Sequence, residues 1–263
     1  MKSTITSEIQ LAAIDQGYTV CAYSGELTKE NFQDWLMHQA CDRELMDVKF
    51  DERSGRNYTY VPYRVQDQIR KWLLNKFYLF DNSNAAEADE TEEHAVLRIF
   101  TMCARRYGCK LFLVDNLMSA INEAENEFLA QTRFVKALSK FAKQYKAHVL
   151  LVCHPRKAKQ GERFTNDSVS GSSNITNLAD TVINVERPNI RITKNRAFGE
   201  TGLIICGYDP ATRRIFQADT GDTYHYGWDR SGLEDLATNK VAEYPIFNIQ
   251  LGKEDTDDMP YPF

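Results

Sequence analysis

Three runs in this chain, YTVCAY (18–23), KLFLVDNL (110–117) and HVLLVCH (148–154), pass from near-continuous apolar residues straight into a polar tip. A strand that is apolar on both of its alternating faces must be covered on both, as in a parallel sheet sandwiched by helices. Helical patterns separate the runs: residues 5–16, closed by Gly17; 29–41, with Thr28 as N-cap; about 92–107; and about 124–146, with apolar residues at helical spacing. KFYLFD (76–81) reads as a further strand, followed by an acidic loop at 82–93. After the third run comes PRKAKQGERFTNDSVSGSSN (155–174), basic and without periodicity, a length of loop that is usually either functional or disordered. The stretches 179–187, 190–196, 201–209 and 213–219 then read as strands, partly antiparallel. The class is α/β: a mostly parallel sheet with helices on both faces.

With 263 residues, 43% of them hydrophobic and 26% charged, the chain suffices for one large domain. We expect a core over 1–219 and an acidic extension over 220–263, ending KEDTDDMPYPF, solvated and poorly ordered. No run of eighteen apolar residues is present, so no membrane span is expected. Polar residues interrupt the first ten positions, which therefore lack the apolar centre of a signal peptide. The six cysteines form no C-x-x-C pair and several sit inside apolar runs, which points to buried free thiols in a reducing cytoplasm. A net charge of −5 argues against a general polyanion binder while permitting a local basic groove.

The chemistry-bearing residues cluster at the ends of the runs. Lys2-Ser3-Thr4 opens a helix in the order in which a phosphate-binding loop ends, with Lys on phosphate oxygens and a hydroxyl on Mg²⁺; a chance tripeptide is the alternative. Asp115 ends an apolar strand, where ligands bind in open α/β sheets, or it caps the next turn. Glu26 lies just past a buried strand, placed to deprotonate a water or simply solvated. His154 ends the third run as a sensor of a bound group or as a structural histidine. Arg156, Lys157, Lys159 and Arg163 suit the phosphates of a single strand, or form a solvated charge run. Lys194 and Arg196, two apart on a strand, project from one face, either toward a neighbour's nucleotide or into solvent.

Taken in order, Lys2-Ser3-Thr4, YSGEL, LFLVDNL, LLVCH, SVSGSSNITNLADTVINVER (168–187) and KNRAFGETG (194–202) resemble the RecA-like motor domain of DnaB-type replicative helicases, phage primase-helicases and Twinkle-like enzymes among them. The match runs from residue 1 to about 217. The resemblance implies a RecA-like three-layer sandwich that couples ATP or dNTP hydrolysis, with Mg²⁺, to 5′→3′ movement along single-stranded DNA. It further implies a homo-oligomeric, hexameric ring, a primase or polymerase partner, and a cytoplasmic setting in a bacterial host or phage-infected cell.

By the same resemblance, Lys2 and Ser3 are the phosphate-loop lysine and its metal-binding hydroxyl, with Thr4 beside them. Glu26 is similar to the catalytic glutamate, Asp115 to the second metal-side carboxylate and His154 to the γ-phosphate sensor. Residues 156–172, including Gly171, resemble the DNA-gripping loop. Arg196 is similar to an arginine finger with Lys194 beside it, and Arg187 and Tyr208 fall near positions that sandwich the base.

Met1 stands where the last glycine of the phosphate loop would be. The resemblance therefore implies that the loop and its preceding strand are missing, with weak ATP affinity and unpaired sheet edges as expected consequences. A filament-forming recombinase or repair ATPase of the RecA type is one alternative. A non-catalytic single-stranded-DNA-binding or subunit-interaction protein is the other.

Overall fold

A computed structural model of the chain describes residues 1–80, 91–121, 127–154, 174–222, 224–234 and 236. Helix α1 (Lys2–Asp15) leads into β1 (Val20–Ser24) and α2 (Lys29–Ala40). A hairpin of β2 (Asp47–Asp51) and β3 (Arg56–Tyr60) follows, then α3 (Tyr63–Leu73), β4 (Phe77–Phe80), α4 (Glu92–Arg106), β5 (Leu111–Asp115), α5 (Glu127–Tyr145) and β6 (His148–Leu151). The later part holds α6 (Asn174–Leu178), β7 (Thr181–Glu186), β8 (Asn189–Asn195), β9 (Gly202–Ile204), β10 (Cys206–Asp209) and β11 (Arg214–Gln217).

The central sheet has the order β4-β1-β5-β6, and every pairing in it is parallel. Its two-sided burial follows from the strands' alternation. Val20 and Ala22 of β1 and Leu111 and Leu113 of β5 enter one core, with Leu11 and Ile14 of α1, Leu36 of α2, and Val65 and Ile69 of α3. The residues between them, Cys21, Tyr23, Phe112 and Val114, enter the second core with Phe100 of α4 and Phe134, Leu138 and Phe141 of α5. Phe112, Phe100 and Phe141 form a three-ring cluster, with the Phe112 centroid 4.8 and 4.9 Å from the other two and those two 6.0 Å apart. Thr28 caps α2 as expected, its hydroxyl accepting the Asn31 N–H at 3.3 Å. All six cysteines are free thiols, five of them buried, and no helix among the described residues is long and apolar enough to cross a membrane.

Several boundaries differ from the sequence reading. Helix α1 begins at Lys2, as expected of a triplet that opens a helix, and not at residue 5 where the apolar pattern starts, so Lys2-Ser3-Thr4 forms its first turn. The stretch 201–209 is two strands. β9 joins an antiparallel sheet with β7 and β8, whereas β10 pairs with β11, and the chain changes sheet at Ile205. The β2–β3 hairpin and α3 went unread. Val65, Ile69 and Leu73 recur every fourth residue along a helix otherwise rich in Arg, Lys and Gln.

The core also continues past residue 219. Tyr226, Trp228 and Leu233 are buried against α1, α2 and α3, and the Trp228 indole donates to the Ala40 carbonyl at 2.8 Å. Asp42, itself buried, receives the Arg230 guanidinium and the His225 ring. The acidic composition of the segment masked three aromatic and aliphatic anchors within eight residues. Residues 237–263, the rest of the expected extension, lie outside the described residues.

Helix α1 meets β11 through Glu8, whose Oε1 accepts the Ile215 N–H at 2.6 Å. Burial pushes this carboxyl up to about 8, against the Ile215 hydrogen bond and the nearby Arg214 charge. A raised folded-state pKa stabilises the fold below the ordinary value of 4.5, and that stability is lost as pH rises through about 8. Glutamine keeps the acceptor and carries no charge. The unfolding free energy of wild type, measured relative to Glu8→Gln by urea titration, is therefore expected to fall steadily from pH 5 to 8.5. A flat difference would remove Glu8 as the cause. In the same assay Trp228→Ala is expected to lose about 3–5 kcal/mol, the usual range for emptying a buried tryptophan position.

Candidate functional site

Because β1, β5 and β6 run parallel and in register, their C-terminal tips share one edge of the sheet. Pairing continues just beyond the strands. The Gly25 N–H donates to the Asp115 carbonyl at 2.7 Å, Val152 N–H to Val114 at 2.9 Å, and Leu117 N–H to Val152 at 2.9 Å. These bonds bring Glu26, Asp115, Asn116 and His154 to one place, and the first turn of α1 adds Lys2 and Ser3.

The contacts are direct. Ser3 Oγ donates to Asp115 Oδ2 at 3.0 Å. Lys2 Nζ donates to the Cys153 carbonyl at 3.2 Å and lies 2.9 Å from His154 Nδ1. His154 Nε2 is 2.6 Å from Glu26 Oε1, and Asn116 Nδ2 donates to the same oxygen. Burial pushes the Lys2 ammonium below its ordinary range, with Glu26 and Asp115 pulling it back up. Asp115, fully buried, is pushed up by the same desolvation, opposed by the Ser3 hydrogen bond and by Lys2.

One oxygen of this site lacks a partner. Asp115 Oδ1 is buried with no hydrogen-bond donor, and such an acceptor destabilises by about 1–3 kcal/mol if left so. With Ser3 Oγ alongside, the available ligands are all oxygen, the set that suits a hard divalent cation such as Mg²⁺. Thr4 faces inward instead: its carbonyl accepts from Gln39 Nε2 at 3.0 Å, and its hydroxyl is buried without a partner.

The other expected residues lie elsewhere. Lys194 Nζ donates to the Thr176 and Asn177 carbonyls at 2.8 and 3.1 Å. Arg196 donates to the Asn177 carbonyl at 3.2 Å and pairs with Asp180 at 2.5 Å. Both cations thus hold the C-terminal end of α6, where helix carbonyls favour positive charge. Arg187 bears electrostatically on the α1 end of the site and on the Tyr208 hydroxyl. Tyr208 is half-buried in β10, and desolvation pushes its hydroxyl up. Arg156, Lys157, Lys159, Arg163 and Gly171 lie outside the described residues.

Sequence reasoning missed Asn116, Gly25 and Ser119. Asn116 follows Asp115 directly, and a polar pair at a strand tip was the available signal. Gly25 is required by proximity, since a Cβ there would lie 2.2 Å from Ser119 Oγ. Tyr23 and Asn116 hold Ser119 in that position: the Tyr23 hydroxyl donates to its carbonyl at 2.9 Å, and the Asn116 N–H donates to its Oγ at 3.1 Å. Gly25→Ala is accordingly expected to destabilise the fold by about 1–3 kcal/mol, with Ser119→Gly in the same chain restoring part of the loss. Thermal melts of the single and double variants check this; equal melting of Gly25→Ala and wild type would refute the contact.

Comparison with known proteins agrees with this architecture. The sequence profile described as AAA domain matches residues 16–160, more than half the chain. The chloroplastic/mitochondrial Twinkle homolog of Arabidopsis thaliana is 22% identical over 193 residues, which are 65% of this chain and 26% of that protein. Among solved structures, a DnaB-like replicative helicase, described with its interactions with primase, superposes with a TM-score of 0.64 at 13% identity, covering 81% of this chain and 55% of that one. A solved ATPase domain matches with a TM-score of 0.62 at 13% identity, covering 82% of this chain and 80% of that one. The chain thus has the fold of DnaB-type helicase motor domains, while spanning about a quarter of its curated relative and just over half of the helicase chain.

Proposed function

The chain belongs to the AAA domain family, and from that premise we propose that it is a replicative helicase motor domain. On this reading it hydrolyses ATP or a dNTP with Mg²⁺ and moves 5′→3′ on single-stranded DNA. The observation that carries the reading is the convergence of Lys2, Ser3, Asp115, Glu26 and His154 at one sheet edge, with the buried Asp115 Oδ1 left without a donor.

On this reading each side chain has a task. Lys2 leaves His154 and Cys153 to contact triphosphate oxygens. Ser3 and Asp115 would hold Mg²⁺, which when bound would neutralise charge on those oxygens. Glu26 orients a water and takes its proton, while His154 reports whether the terminal phosphate is present. Arg187 and Tyr208 flank the base. Arg196, released from Asp180 and seconded by Lys194, reaches a neighbouring subunit's nucleotide in a hexameric ring. Arg156, Lys157, Lys159, Arg163 and Gly171 grip the DNA backbone, and a primase or polymerase joins the working assembly in the cytoplasm of a bacterial host or phage-infected cell.

The test is hydrolysis of Mg-ATP by the full chain, at concentrations high enough to offset the weak affinity expected from the sequence, with and without single-stranded DNA. Activity should rise with protein concentration, and Glu26→Gln should lower kcat by about 10²–10³-fold. Mixing Arg196→Ala with Glu26→Gln chains should restore part of the rate, since each variant leaves one half of a shared interface intact. A wild-type chain that binds single-stranded DNA in a salt-dependent manner but neither binds nor hydrolyses nucleotide would replace this reading with a non-catalytic DNA-binding one.

A further inference from the structure

The side chain of Glu26 is 41% exposed, so burial alone does not hold its carboxylate in place. Asn116, by contrast, is 3% exposed, and its amide can take only one orientation. Its Oδ1 accepts the backbone N–H groups of Met118 at 2.9 Å and Ser119 at 3.1 Å, so Nδ2 must face the site. From there Nδ2 donates to Glu26 Oε1.

The histidine beside it is equally constrained. Lys2 Nζ has no acceptor capacity, so His154 Nδ1, 2.9 Å away, must accept, and the ring hydrogen sits on Nε2. Nε2 then donates to Glu26 Oε1 at 2.6 Å. Asn116 Nδ2 and His154 Nε2, 2.8 Å apart, are both donors and do not bond one another. They converge on a single carboxylate oxygen.

We propose that Asn116 is a positioning residue for Glu26: its backbone-locked amide, together with the Nε2–H of His154, sets where the carboxylate points. The proposal rests on the reading of Glu26 as the base that activates water. Asn116 itself touches no reacting atom and acts through Glu26. An aspartate at 116 would keep an acceptor for Met118 and Ser119 but would turn a repelling oxygen toward Glu26.

The experiment has one arm independent of hydrolysis. In nitrogen-15 NMR of the nucleotide-free full chain, His154 should show an exchange-protected Nε2–H and an unprotonated Nδ1. Asn116→Asp keeps the turn bonds but puts a carboxylate oxygen 2.8 Å from Nε2, so it should retain a protected Nε2–H, now donated to the introduced carboxylate. Asn116→Ala, which removes the amide donor without supplying an acceptor, should lose the signal. Survival of the protected signal in Asn116→Ala overturns the proposal.

In the second arm, Asn116→Asp should lower kcat by about 10²-fold, the scale of a misplaced catalytic group, with KM for Mg-ATP changed less than about twofold. A raised KM at unchanged kcat also overturns it. If the wild-type chain hydrolyses nothing, the functional reading fails and the ring signal alone decides whether Asn116 positions Glu26.

Discussion

The pairing of β1 with β5, Ser24 opposite Asp115 and extended by the Gly25 N–H to the Asp115 carbonyl, is the constraint on which the site depends. It fixes which residue follows each strand at the sheet edge. With β5 and β6 in the same parallel register, Glu26, Asn116 and His154 emerge side by side. A slip of one residue would exchange the two faces of β1, moving Val20 and Ala22 into the core that receives Cys21 and Tyr23. The packing that makes the fold stable is therefore also what aligns the tips, and core and site cannot vary independently.

Charge at this edge is balanced under partial desolvation. Asp115 is buried beside a serine hydroxyl, and Lys2 is held between a carbonyl and an imidazole. Desolvation pushes both groups toward neutrality, and each counteracts the effect on the other. Oδ1 of Asp115 has no donor, so the protein's own hydrogen bonds leave the arrangement incomplete. A second charged system, removed from the first in its residues, anchors the segment around Trp228. There buried Asp42 receives Arg230 and His225, and Arg214 pairs with Asp222. Through Asp42, just past α2, it ties the C-terminal part of the described chain to α2, which packs against α1, the helix that carries Lys2 and Ser3 in its first turn.

The strands of the central sheet were legible because their two-faced burial writes a continuous apolar run into the sequence, and LFLVD (111–115) is the plainest example. Thr28 was legible because a cap acts through its own side chain on the next turn. The β2–β3 hairpin was not, since Lys49, Phe50, Arg56 and Tyr58 give it no apolar face to recognise. Nor were the anchors at 226–233, because their burial depends on a surface built by three distant helices. For Lys194 and Arg196 the shared direction was readable from their spacing, but the α6 carbonyls and Asp180 that they hold are brought near only by the fold.

The sequence by itself determined the order of the central strands β1, β4, β5 and β6 and the chemical identity of the tips of β1, β5 and β6, because alternation and capping are local properties of a few neighbouring residues. Only the tertiary structure decided that Lys2 meets His154 across 152 positions, that Ser3 meets Asp115 across 112, and that the unremarked Asn116 stands between Glu26 and the backbone. Such contacts are set by strand register and helix placement, which no single segment encodes.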